Sequence, residues 1–127
     1  MTLKMFEIIN FSIFYDEVKS TKLSFKVLYK LHNLTKAIDE KTEFYREKFQ
    51  EILKEYGELD ADGNLVPTED GNGIKIRIGT EQECMTKVME LQNLEVELPD
   101  ISFDIEEFGD IELTIEVFNI IKPFLKD

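Results

Sequence analysis

Apolar positions change their spacing along this chain, and each change marks an element. Between about Ser24 and Tyr56 they recur at close to helical spacing: Leu28, Leu31, Leu34, Ile38, Tyr45, Phe49, Ile52 and Tyr56, with one skipped turn near Lys41. No Gly or Pro interrupts the run, so the pattern predicts one long helix over 23–57. Gly57 stands at the C′ position and Lys54 in the last turn, where a cation suits the helix dipole. Such a rod is roughly 50 Å long, too long for one small core to cover. Part of it is therefore expected to pair with another helix, from this chain or from a second copy.

The stretch before it supports two readings. Ile9, Phe11, Ile13 and Tyr15 alternate as in a strand, whereas Phe6, Ile9 and Ile13 suit one face of a helix that Thr2 could cap. Residues 1–20 are expected to be a helix or a strand, with helix preferred. After the long helix, turn chemistry takes over at Asp60-Ala61-Asp62-Gly63-Asn64 and again at Glu69-Asp70-Gly71-Asn72-Gly73. Leu65-Val66, with Pro67 as an edge marker, and the alternating Ile74, Ile76 and Ile78 complete a β-hairpin over 63–79. Thr80 and Glu83 have the spacing of a capping box, so a shorter helix is expected over 80–93 with Met85, Val88 and Met89 inward.

Past Asn93 the period becomes two. Leu94, Val96 and Leu98 alternate with Glu95 and Glu97, and Ile101, Phe103 and Ile105 with Ser102 and Asp104. Beyond Gly109, Ile111 and Leu113 do the same, and Thr114 can cap a last helix carrying Ile115, Phe118, Ile120 and Ile121 up to Pro123. The expected fold is α+β: a long and a shorter helix joined by a β-hairpin, forming a helical-hairpin arm, with a small acidic strand/helix lobe over 94–127. No repeat or low-complexity linker divides the 127 residues, and a single domain is the simplest organisation.

Charge sharpens this picture. The chain holds 27 acidic and 15 basic side chains, a net charge of −12. Residues 1–56 are nearly balanced, with ten basic and nine acidic side chains, whereas 57–127 hold five and eighteen. No basic residue lies between Lys87 and Lys122, yet ten acidic ones do, including Glu90 and Glu116. Lys22, Lys26 and Lys30 stand one turn apart near the start of the long helix. The bland explanation is solubility, with the acidic segment packed on the molecule's own basic stripe. The sharper ones are self-association, or a negative surface that docks on a basic partner, where complementarity speeds encounter and discriminates among partners. The acidic imbalance argues against direct nucleic-acid binding, since phosphate contacts need clustered Lys and Arg.

Candidate chemistry is sparse. Cys84 is the only cysteine, so an intramolecular disulfide and a multi-Cys zinc site are excluded; its plain reading is a small buried hydrophobe. His32 is the only histidine and reads as helix surface. Asp60-x-Asp62-x-Asn64 resembles the start of a calcium loop, but Leu65 and Gly71 occupy the positions that need Gly and Glu, so turn formation is preferred. Gly71-Asn72-Gly73 precedes a strand pattern, where a phosphate cradle would open a helix. No cofactor or metal is expected. The apolar N-terminal stretch is interrupted by Lys4, Glu7, Asn10 and Ser12, so no membrane span or signal peptide is expected and the chain should be soluble. Partner binding falls to Glu95, Glu97, Asp100, Asp104, Glu106, Glu107, Asp110 and Glu112, and self-association to Leu31, Leu34, Ile38, Tyr45, Phe49 and Ile52.

The stretch from Leu23 through Val66, followed by a short helix, Leu94-Glu95-Val96-Glu97-Leu98 and an acidic-apolar tail, resembles an uncharacterised family of small acidic proteins encoded by phages and prophages of Gram-positive bacteria. The resemblance rests on Leu23, Lys26, Tyr29, Lys30 and Leu31, on Lys54-Glu55-Tyr56-Gly57, and on Asp62-Gly63-Asn64-Leu65-Val66. It brings no catalytic residues. It implies a viral origin and a place in the cytoplasm of the infected or lysogenic host, or in the virion. The expected function is non-enzymatic: a phage accessory protein acting by protein–protein interaction, an inhibitor of a host enzyme or defence factor, and a homo-oligomer. The alternative is a tail or neck component of the virion, or an assembly chaperone, using the helical arm.

Overall fold

A computed structural model describes residues 1–126 of the chain. It is α+β and mostly helical, with one two-stranded antiparallel sheet. Strand β1 (Thr2–Lys4) leads into helices α1 (Met5–Ile9) and α2 (Phe11–Val18); then come the long helix α3 (Phe25–Tyr56), α4 (Glu81–Gln92), strand β2 (Glu95–Glu97) and α5 (Ile115–Ile121). Short 3-10 turns cover Ile105–Phe108 and Lys122–Phe124. The chain divides into two compact units, Met1–Thr42 with Glu95–Asp127, and Glu43–Leu94.

In the first unit β1 pairs with β2 in the register Thr2↔Glu97, Leu3↔Val96, Lys4↔Glu95, which buries Leu3 and Val96 and leaves the flanking side chains outside. The stretch Ile9–Tyr15, whose alternation allowed a strand, is helical; the strand lies earlier, at Thr2–Lys4, so Thr2 pairs in a sheet and does not cap the helix. The buried helical face is Met5, Ile8, Phe11, Phe14 and Val18, not Phe6, Ile9 and Ile13, of which Phe6 and Ile13 are exposed. The larger rings at 11 and 14 decide the phase, because they join an aromatic core. Phe11 meets Phe14 and Phe124 at centroid distances of 5.6 and 5.7 Å, and Phe108 touches Phe14 at 5.7 Å and Phe103 at 5.2 Å. The Phe11–Phe124 and Phe14–Phe108 pairs are edge-on, the arrangement the ring quadrupoles favour.

Helix α3 is continuous through the turn skipped near Lys41, as a run without Gly or Pro allows, and starts after Ser24, whose hydroxyl accepts from the Val27 N–H. Val27, Leu31, Leu34 and Ile38 are its buried positions in this unit, and Leu28 is exposed. The tail of the unit departs from the expected strands. Beyond β2 the chain makes a single parallel bridge between Phe103 and Leu125, closed by Phe103 N–H to Phe124 O and Lys126 N–H to Phe103 O. The Glu107 carboxylate accepts from the Asp104 N–H and starts a 3-10 turn where alternation predicted strand. Ile111 and Leu113 find no partner strand among the described residues and line a cavity instead. Thr114 caps α5 as expected, accepting from the Val117 N–H; Val117 and Ile121 are buried, whereas Ile115, one of the apolar residues named for this helix, is exposed.

The second unit holds the C-terminal part of α3, the turns and α4. The hairpin is reduced to isolated antiparallel bridges, Gly57↔Ile76, Leu59↔Leu65 and Pro67↔Ile74. Glu58 N–H bonds to Lys75 O while Glu58 O accepts from Val66 N–H, so three short segments share one bridge each rather than forming paired strands. Gly57 is needed for a different reason from the one its position suggested. Its φ is not positive; a Cβ there would collide with the Leu53 carbonyl oxygen and with Leu65 Cδ2. Arg77 closes the end of α3, its guanidinium donating to Glu55 O at 2.6 Å and its N–H to Tyr56 O. The Thr80 hydroxyl donates to Arg77 O and so does not cap α4; the Glu81 carboxylate takes the Gly79 N–H in place of the expected Glu83 contact. On α4 the buried residue is Cys84, with Val88 half-buried, whereas Met85 and Met89 face solvent.

Candidate functional site

The acidic residues of the tail separate into two sets. One set is neutralised within its own unit. Lys30 Nζ lies 3.0 and 3.2 Å from the two Glu107 carboxylate oxygens, donates to Ser102 O at 2.9 Å, and sits over the Phe103 ring at 5.4 Å. The Glu107 side chain is only 13% exposed. The Asp104 N–H, and then the Lys30 ammonium, hold its carboxyl below the ordinary glutamate value. Asp104 has Lys126 at 3.8 Å. Asp100 and Glu97 lie 2.8 and 3.9 Å from the Met1 ammonium, which holds the Asp100 carboxyl below its usual value, and the Thr2 hydroxyl also meets Glu97. For Glu107 the bland explanation of the charge pattern holds, since Lys30 belongs to the basic stripe; Asp104, Asp100 and Glu97 are met instead by Lys126 and the Met1 ammonium.

The other set has no ion-pair partner among the described residues, whereas Glu97 and Asp100, although exposed as well, have the Met1 ammonium. Glu95 is exposed, across the sheet from Lys4. Glu106, Asp110, Glu112 and Glu116 are exposed and, among the described residues, have no cation within ion-pair distance. They alternate along the chain with residues that line an apolar cavity of about 390 Å³. Phe14 and Ile121, members of the core, lie at its floor, and Ile105, Ile111, Leu113 and Ile115 contribute walls. Gly109, at φ +65°, makes the turn between the 3-10 segment and the strip that carries Ile111 and Leu113. Sequence reasoning identified the carboxylates but placed their apolar neighbours in strands. The signal available was Gly109 between two short alternating runs, neither long enough to pair.

The residues expected to drive self-association part company. Leu31, Leu34 and Ile38 are buried in the core of the first unit and present no surface to a second copy. Tyr45, Phe49 and Ile52 are half-buried in the second unit, the Tyr45 and Phe49 rings stacked at 5.8 Å. An open groove of about 330 Å³ there is lined by Phe44, Ile52, Leu91 and Leu94 among charged side chains.

The remaining candidates have structural settings. Asp60 Oδ1 accepts from the Asp62 and Asn64 N–H groups at 2.9 and 3.0 Å, the work of a turn former. Asp70 does the same for Asn72 and also takes the Thr68 hydroxyl, contacts that lower its pKa. Cys84 is buried, and burial raises its thiol. His32 is exposed on α3. Among the described residues no three His, Cys, Asp or Glu side chains gather as a metal site would require, and no helix is long and apolar enough to cross a membrane.

Set against models of protein families, curated proteins and solved structures, the chain matches none.

Proposed function

We propose that this chain is a non-enzymatic binding protein that docks on a basic protein partner through the exposed carboxylates of residues 95–116. The observation that carries the reading is the split within the acidic tail. Glu107 has Lys30, while among the described residues Glu106, Asp110, Glu112 and Glu116 have no cation within ion-pair distance. Like charges held together without compensation destabilise the compact state, and a basic partner relieves that repulsion on binding. The resemblance to phage-encoded proteins supports a partner inside an infected Gram-positive cell, a host enzyme or defence factor that the acidic face blocks.

Affinity capture from a Gram-positive lysate, with Glu106, Asp110, Glu112 and Glu116 changed together to Lys in a parallel sample, tests the reading. A captured partner that is lost in the reversed variant, whose helical circular dichroism is unchanged, supports it; capture indifferent to the reversal contradicts it. A second reading, a virion component or assembly chaperone that self-associates, is favoured by the exposure of Phe44, Met85 and Met89 on residues 43–94. Mass spectrometry of purified particles and light scattering on the isolated chain decide it.

A further inference from the structure

We infer that the apolar cavity beside the Ile105–Phe108 turn is a docking groove for an amphipathic basic segment of a partner protein, whose apolar side chains enter the cavity while its Lys or Arg side chains meet the surrounding carboxylates. The inference rests on the binding reading above and names the chemistry of what is bound.

The apolar half of the argument is exposure. The first unit buries five Phe rings almost completely, yet leaves Ile115 at 79% and Ile105 at 58% exposed on one cavity. Each forgoes the stabilisation of burial, and such patches mark interaction sites. A cavity of about 390 Å³ lies within the range, on the order of 300–1,000 Å³, of pockets that hold ligands. Its core-side wall, Phe14 and Ile121, is held by the aromatic cluster, so the groove is formed before anything enters it.

Charge selects the occupant. Glu106 follows Ile105; Asp110 and Glu112 flank Ile111; Glu116 follows Ile115. The nearest cations along the chain are Lys122, and Lys126, which Asp104 engages at 3.8 Å; in space Lys30 and Lys26 act on Glu107, beside Glu106. A second copy of this acidic tail, or an apolar ligand with a carboxylate head, would bring like charges together. A cationic amphipathic helix satisfies both features, placing side chains at helical spacing into the groove and gaining a faster encounter from the surrounding field. The cavity between α2 and α3 has Lys19, Lys36 and Asp39 on its lining and so carries both signs.

The full chain, labelled with carbon-13 in its Ile, Leu and Val methyl groups, is titrated with a short Leu/Lys peptide of helical period and, separately, with the matching Leu/Glu peptide. The expected result is saturable binding of the Leu/Lys peptide alone, with methyl shifts concentrated on Ile111, Leu113, Ile115 and Leu125. Ile115→Asp, an exposed position where the fold tolerates change, should weaken it about tenfold or more, and salt should weaken it further. Equal binding of the Leu/Glu peptide, shifts elsewhere, or undiminished affinity in Ile115→Asp would overturn the inference. So would a dimer of the isolated chain that Ile115→Asp dissociates, since a second copy then fills the groove. If charge reversal abolishes capture of a partner but the peptide never binds, the groove fails and the binding reading stands. If the peptide binds and capture ignores charge reversal, the broader reading fails instead.

Discussion

The two units of this molecule use similar residue types to different ends. Among the described residues every buried apolar side chain except Tyr56 and Cys84 lies in Met1–Thr42 with Glu95–Asp127. Glu43–Leu94 is held by turn hydrogen bonds and isolated bridges around those two residues, with Phe44, Leu59, Ile78, Met85, Met89 and Leu94 exposed. The difference is topological. The first unit closes on itself through contacts far apart in sequence, β1 on β2 and Phe11 on Phe124, so its side chains converge from several directions. The second is one contiguous stretch whose segments are too short to pair along their length, and few side chains converge.

The comparison breaks first at its aromatic centre. Phe14→Ala or Phe103→Ala should cost about 3–5 kcal/mol in urea unfolding, because both rings are almost wholly buried and pack against neighbouring rings. If either costs no more than a surface change, the first unit has no such core. Next comes the Lys30–Glu107 pair. Glu107→Gln should lose about 1.5–3 kcal/mol, since the Asp104 N–H and the Lys30 ammonium both bind the charged carboxylate. The pH dependence follows in sign. Glu107 is held below its ordinary value, so its contribution is complete above the unfolded carboxylate pKa of about 4.3 and is lost as pH falls through the lower folded value. Urea midpoints from neutral to acid pH should fall less steeply in Glu107→Gln; parallel curves would refute the pairing.

In the second unit, Gly57→Ala should cost about 1–3 kcal/mol, because its Cβ would meet the Leu53 carbonyl. A neutral effect would show that the close approach relaxes freely. Smallest of all, Ile78→Ala should shift stability by less than about 0.5 kcal/mol, as that side chain is 98% exposed. Cys84 offers a separate reading of the same unit: burial raises its thiol, so disulfide reagents should label it slowly in the native protein and rapidly in denaturant.

How far these features were legible in the chain follows the same division. The uninterrupted run from Phe25 to Tyr56 announced helix α3, and Thr114 announced the start of α5, because helical periodicity and capping are local. The phase of burial was less visible. Val27 and not Leu28 faces inward, and Phe14 and not Ile13, because the choice depends on rings such as Phe103 and Phe124 that arrive from far along the chain. Alternation around Ile101–Leu113 predicted strands that the structure lacks; alternation reports two faces, but a strand also needs a neighbour to bond. The carboxylates of the candidate face were evident from charge alone. That Lys30 takes Glu107 and leaves Glu106 free was not, since the two are adjacent and only the 3-10 turn separates their directions.

Hydrogen–deuterium exchange of the full chain, with and without saturating Leu/Lys peptide, tests the central claim most directly. The account predicts slowed exchange over residues 105–118 and unchanged exchange over 43–94. Protection confined to 43–94, with 105–118 unaffected, would contradict it.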